Sequence, residues 1–194
     1  MRPPIIWING PFGVGKMYAA YALHERLPGS FIFEPEEMGL ALKKLTPKFT
    51  ADPQAHPMWI PLMLDALQYA SREADGPLIV PVTMTDVARH RRLMSGLQSR
   101  DLSAHHFTLL APLDVVLSRL KREGHTDLYV GGIEDRLNEL RSEQFRTHID
   151  VTSLGEQQIA ETIAQQVGLT LSPVPNDPLR WIKGALAGRR RPSH

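Results

Sequence analysis

The residues Ile5-Ile6-Trp7-Ile8-Asn9-Gly10-Pro11-Phe12-Gly13-Val14-Gly15-Lys16 limit the fold of this chain more than any other stretch. An apolar run suited to a buried strand breaks into glycines and ends on a lysine, and a helical pattern follows. The spacing Gly10-x-x-x-x-Gly15-Lys16 is that of a phosphate-cradling loop. In such a loop the glycines let successive backbone N–H groups point at an anion, and the lysine reaches the outer phosphates. The positive end of the next helix adds to that field. A plain glycine-rich turn between a strand and a helix is the alternative. After the lysine the motif calls for Ser or Thr, whose hydroxyl ligates Mg²⁺, but the chain has Met17, and a thioether is a poor ligand for a hard cation. The stretch therefore predicts phosphate binding by Gly10, Pro11, Phe12, Gly13, Val14, Gly15, Lys16, Met17 and Tyr18, and leaves the metal ligands open.

Further strands are expected at 30–33, 78–82, 105–110 and 148–151, and helices at 18–27, 36–48, 58–71, 87–99, 114–123, 133–146 and 153–167. Strand–loop–helix units repeated in this way imply a three-layer α/β fold, a five-stranded parallel sheet with helices on both faces. Pro81 donates no ladder hydrogen bond, so it is expected at the end of its strand. Ligands of such sheets bind at the carboxyl ends of the strands. Two groups fall there. Glu34 heads the run Glu34-Pro35-Glu36-Glu37, which serves either a ligand or the dipole of the next helix; Thr83, Thr85 and Asp86 meet phosphate, metal or substrate, or cap the helix that follows. Trp59, beside the proline-rich loop 50–57, either stacks a substrate ring or packs in the core. His105 and His106 alternate in a strand and so face opposite ways, which argues against a paired metal site and for one buried, hydrogen-bonded histidine. Arg119, Lys121, Arg122 and Arg136 flank the glycine-bearing segment 124–132, an arrangement suited to a lid over phosphates. Arg141 and Arg146 read as solvated partners of nearby carboxylates.

The 194 residues suit one domain, 1–171, with a basic tail, 172–194. The tail has five basic residues against Asp177 alone, while residues 1–171 hold 17 basic and 20 acidic side chains. A mildly acidic body argues against a broad nucleic-acid footprint, and the tail suits a local anionic partner, including weak contact with an anionic membrane surface. Cysteine is absent, which excludes disulfides and thiolate metal sites and fits a reducing cytoplasm. The opening residues run directly into the first expected strand, so no signal peptide is expected, and no apolar run is long enough to span a bilayer.

Several stretches together resemble the tunicamycin resistance proteins, a family similar to small P-loop kinases of the nucleoside and shikimate kinase kind. They are the phosphate loop, Glu34-Pro35-Glu36-Glu37-Met38-Gly39, Leu78-Ile79-Val80-Pro81-Val82-Thr83 and His105-His106-Phe107-Thr108-Leu109. The resemblance runs from about residue 5 to 170. It implies a P-loop NTPase fold, ATP as cofactor with Mg²⁺, a lid, and phosphoryl transfer to a nucleoside-like antibiotic, with nucleotide-dependent sequestration of the drug as the alternative. By resemblance to adenylate-type kinases Arg119 would lie near adenine and Arg122 and Arg136 near the phosphates; for phosphoryl transfer, Lys16 and the lid arginines would stabilise charge on the transferred group, and Glu34 or Asp86 would position metal water or accept the hydroxyl proton. Where the family expects Thr this chain has Met17, and where it often has Asp this chain has Glu34.

Overall fold

The computed structural model describes residues 2–47, 52–124 and 132–175. Among these residues five parallel strands, β1 (Ile5–Asn9), β2 (Phe31–Ile32), β3 (Leu78–Val82), β4 (Ala104–Leu110) and β5 (His148–Asp150), form one sheet in the order β2-β3-β1-β4-β5. The helices are α1 (Lys16–Arg26), α2 (Pro35–Leu45), α3 (Trp59–Glu73), α4 (Val87–Gln98), α5 (Leu113–Arg122), α6 (Ile133–Leu140) and α7 (Glu156–Val167), with single 3₁₀ turns at Pro53–Ala55 and Glu143–Phe145.

β1 explains the layering. Its side chains alternate, so Ile6 and Ile8 join a core with Leu23 of α1 and Ile159 and Ile163 of α7, while Ile5 and Trp7 join a second core with Met63 and Leu67 of α3 and Leu93 and Leu97 of α4. Both faces are covered, which is why the strand reads as a continuous apolar run. Each fully buried large aliphatic side chain contributes about 1.5–3 kcal/mol. Because β1 is central and the chain turns to opposite sides of it for β3 and β4, a crevice opens at its carboxyl end.

Two expectations need correcting. Pro81 is not terminal but the fourth of five residues in β3, opposite Ile8 of β1. The carbonyls of Pro77 and Ile79 accept from Phe31 and Phe33 on the β2 side. By alternation the nitrogen of Pro81 faces that side too, beyond the end of β2 at Ile32, where no ladder N–H is needed. The helix expected over 133–146 stops at Leu140, because Ser142 starts a new turn by accepting from the Gln144 N–H. Arg146 pairs with the Glu143 carboxylate as expected, whereas Arg141 donates to the Asn138 amide oxygen. The segment 125–131 and the residues from 176 onward, which hold the expected lid centre and most of the basic tail, lie outside the described residues. No described helix is long and apolar enough to cross a membrane.

Candidate functional site

The loop between β1 and α1 is framed from below. Asn9, fully buried, accepts from the N–H groups of Gly10 and Met84 at 2.8 and 2.9 Å and donates to the Met84 carbonyl at 2.8 Å. It ties the carboxyl ends of β1 and β3 together at the root of the loop. Thr83 adds a hydroxyl bond to the Gly10 carbonyl at 2.9 Å. From the other side Arg119 donates to the Val14 carbonyl at 3.0 Å and to the Val151 carbonyl at 2.7 Å, bracing the loop against the β5–α7 connection. Glycine is required at position 13, where φ is +77° and a Cβ would lie 2.5 Å from Leu120 Cγ. Gly15 caps α1 at φ +104° with open space around it, so the backbone there stays accessible.

Lys16 opens α1 and is buried, only 8% exposed. Its Nζ donates to the Pro11 carbonyl at 2.8 Å and lies 5.4 Å from the centre of the Phe12 ring. Burial lowers its pKa from the usual 10.5 to about 8; the Glu36 carboxylate opposes that shift and the Arg136 guanidinium adds to it.

Two cavities flank the loop. The smaller, about 480 Å³, is walled by Gly13, Val14, Gly15, Tyr18, Arg119 and Arg122 together with the start of α7. The larger, about 770 Å³, has Phe12, Glu36, Trp59, Thr83, Asp86 and Arg136 among its walls. Of the arginines singled out in the sequence, Arg119 and Arg122 therefore belong to one cavity and Arg136 to the other. Trp59 is both core and wall, at 1% exposure.

The carboxylates separate by environment. Glu34 stands at the N-cap of α2, and desolvation, then Glu37, then Glu36 push its carboxyl up. Glu36 rather than Glu34 borders the larger cavity and acts on Lys16. Asp86 borders the cavity as well, but it also caps α4 by accepting from the Arg89 N–H at 2.9 Å and pairs with Arg89 Nε at 3.3 Å. The capping alternative for Asp86 is thus observed, on a side chain that also faces the cavity. Sequence reasoning placed the run Glu34-Pro35-Glu36-Glu37 at the ligand edge but singled out Glu34 within it, and it missed Asp52, Gln54 and Arg89 on the same wall, for which the only local signal was the Asp52-Pro53 turn.

The donor set of the loop fits phosphate, while the hydroxyl that the motif would place on Mg²⁺ is missing from it. The half-buried Met17 offers no oxygen, and no grouping of three His, Asp or Glu among the described residues suits a metal. A separate cluster lies on the α4 face of the sheet. The His90 ring packs at a tilt against those of His106 and Phe145, with centroids 4.4 and 5.1 Å away, and His106 Nδ1–H donates to the Arg146 carbonyl at 3.0 Å. The Nε2 atoms of His90, His106 and His148 are buried without a hydrogen-bond partner. Burial, then the neighbouring His106, lowers the His90 pKa to about 4. His106 is lowered as well, mainly by burial. Of the two adjacent histidines, His106 is hydrogen-bonded but only half-buried, so the expectation of a fully buried one is met in part.

A parallel sheet in this order, with a glycine–lysine loop at its central switch point between two cavities, defines an α/β protein of the P-loop kinase kind. Solved structures agree: a gluconokinase from Sinorhizobium meliloti (16% identity, TM-score 0.61, covering 86% of this chain and 92% of that one) and a shikimate kinase from Acinetobacter baumannii bound to shikimate (17%, 0.56, 85% and 93%) share the fold. The tunicamycin resistance protein of Deinococcus radiodurans is far more similar, at 72% identity and a TM-score of 0.78 over 88% of this chain and 99% of that one. The chain belongs to the tunicamycin resistance protein family. No family model matches it, and no curated protein sequence does.

Proposed function

We propose that this protein is an ATP-dependent phosphotransferase acting on a hydroxyl of a nucleoside-like small molecule, with tunicamycin as the first candidate because the similar solved protein carries that name. The observation that carries the reading is the pair of cavities meeting at the phosphate loop, Gly13 to Gly15 on one side and Phe12 on the other. In this reading the smaller cavity takes the nucleotide, which supplies the transferable phosphoryl group. The backbone N–H groups of Gly13 to Lys16 hold its phosphates, with Gly10, Pro11 and Val14 shaping the loop, while Arg119, Tyr18 and Met17 lie beside the nucleotide. Lys16 and Arg136 stabilise charge on the group in transit, and Arg122 does so from the nucleotide side. The larger cavity takes the acceptor. Glu36 is the carboxylate best placed to accept the hydroxyl proton, because Asp86 is engaged by Arg89 and Glu34 stands at the helix cap.

Nucleotide-dependent sequestration without turnover is favoured by one feature, Met17 in place of the metal-binding hydroxyl. Mass spectrometry of tunicamycin and uridine nucleosides incubated with ATP and the protein decides between them. A product heavier by one phosphoryl group supports transfer; unmodified drug that co-purifies with protein and nucleotide supports sequestration. The cytoplasm is the proposed compartment. Weak contact of the basic tail with anionic lipid is tested by liposome sedimentation with and without residues 179–194.

A further inference from the structure

The larger cavity is bounded by two bodies. One is the carboxyl edge of β3 with the start of α4. The other is α2 with the 3₁₀ turn at Pro53–Ala55, packed so closely that a Cβ on Gly39 would lie 2.8 Å from Pro53 Cβ. Polar contacts join them. Arg89 donates from one guanidinium nitrogen to Asp52 Oδ2 at 2.6 Å and lies 3.3 Å from Asp86 Oδ2 through Nε, so one planar fork holds a carboxylate from each body. Gln54 Nε2 donates to the Thr83 carbonyl at 2.7 Å in the same seam. All five residues border the cavity. The turn in turn carries the first residue of α3, since the Trp59 N–H donates to the His56 carbonyl at 2.9 Å.

We infer that Arg89 is a positioning residue for the acceptor. Its clasp on Asp52 and Asp86 sets the spacing between the wall that bears Glu36 and the edge that bears Thr83, and so the width in which an acceptor is received. The inference rests on the reading of the larger cavity as the acceptor site. The side chains of Arg89, Asp52 and Asp86 are 28%, 51% and 40% exposed, so the pairs are screened and reversible, as a clasp that must admit a bulky molecule requires. The clasp also explains why Asp86 is a poor choice of base: its second oxygen is already shared with a cation.

The test compares the native protein with Arg89→Met, Arg89→Lys and Asp52→Asn, the last of which keeps the oxygen that accepts from the Gln54 N–H. Hydrogen exchange of peptides covering 52–60 and calorimetric affinities for tunicamycin and for ADP are measured in each. Arg89→Met and Asp52→Asn should speed exchange in 52–60 and weaken tunicamycin about two- to fivefold, the range of such half-exposed pairs. ADP affinity should stay unchanged. Arg89→Lys should fall between, because a point charge engages one carboxylate at a time. Unchanged exchange in both Arg89→Met and Asp52→Asn overturns the clasp, and faster exchange with unchanged tunicamycin affinity overturns its positioning role. If the native protein does not bind tunicamycin, the substrate reading fails, and the exchange data alone decide the clasp.

Discussion

Raising the pH should weaken nucleotide binding through Lys16 alone. Its pKa in the free protein, about 8 against the usual 10.5, means that burial penalises the charged form by about 3 kcal/mol. An anionic phosphate placed against the ammonium restores the charged form, so binding draws in a proton wherever the free lysine has lost its own. At pH 7 about 90% of Lys16 is charged in the free protein and at pH 9 about 10%, so the dissociation constant for ADP should rise about tenfold between them. The direction follows from the sign: a pKa lowered in the free state and raised in the complex makes affinity fall as pH climbs through 8. A nucleotide's terminal phosphate has its last pKa near 6, so it is about 90% ionised by pH 7 and changes little above it. Calorimetry in two buffers of different ionisation enthalpy should show about half a proton taken up per ADP at pH 8. Lys16→Ala should flatten the profile and cost roughly 1.5–3 kcal/mol at pH 7, where the native lysine is charged. Equal affinity at pH 7 and 9, with no proton uptake at pH 8, would refute the argument.

Three other outcomes are expected. Stability should fall as pH drops from 6.5 towards 4, because His90 and His106 have lowered pKa values when folded and the unfolded chain binds more protons in that window; His90 alone accounts for up to about 3 kcal/mol, and His90→Leu should flatten the slope in urea titrations. Asn9→Ala should cost on the order of 3 kcal/mol by the same method, since it strands the buried N–H groups of Gly10 and Met84. Met17→Thr should make ADP affinity depend more strongly on Mg²⁺ than in the native chain, and equal dependence in the two would show that the hydroxyl has no role.

What the sequence disclosed was what is local. The loop from Gly10 to Lys16 was legible because its spacing marks a phosphate loop, and the five-stranded parallel sheet followed from periodicity and alternation of strands with helices, whereas the spatial order of the strands was not read from the sequence. Pro81 was misplaced because its tolerance depends on where a different strand, β2, happens to stop. The helix after Gly132 was read too long because Leu137 and Leu140 sustain the apolar period up to Ser142, and a capping turn outweighs the pattern. The wall of the larger cavity was illegible for a different reason. Arg89 meets a carboxylate 37 residues away, and Gln54 a carbonyl 29 residues away. Nothing in a one-dimensional pattern joins His90, His106 and His148 either, since they come from a helix and two strands. Glu36 and Glu34 are two residues apart, and only the direction of α2 shows which of them turns towards Lys16.

The order of the strands bears on how the protein behaves when concentrated. The outermost strands are the shortest, two residues in β2 and three in β5, against five to seven in the strands they flank. An exposed sheet edge invites a neighbouring chain to add a strand in proportion to the row of unpaired N–H and C=O groups it displays. Here the rows end almost as soon as they begin. Phe31, half exposed on β2, sits on an edge too short to template a foreign strand, and Pro35 turns the chain into a helix three residues after Ile32. The sheet thus ends in stubs that blunt edge-to-edge aggregation, even though its interior strands are among the most apolar segments in the chain.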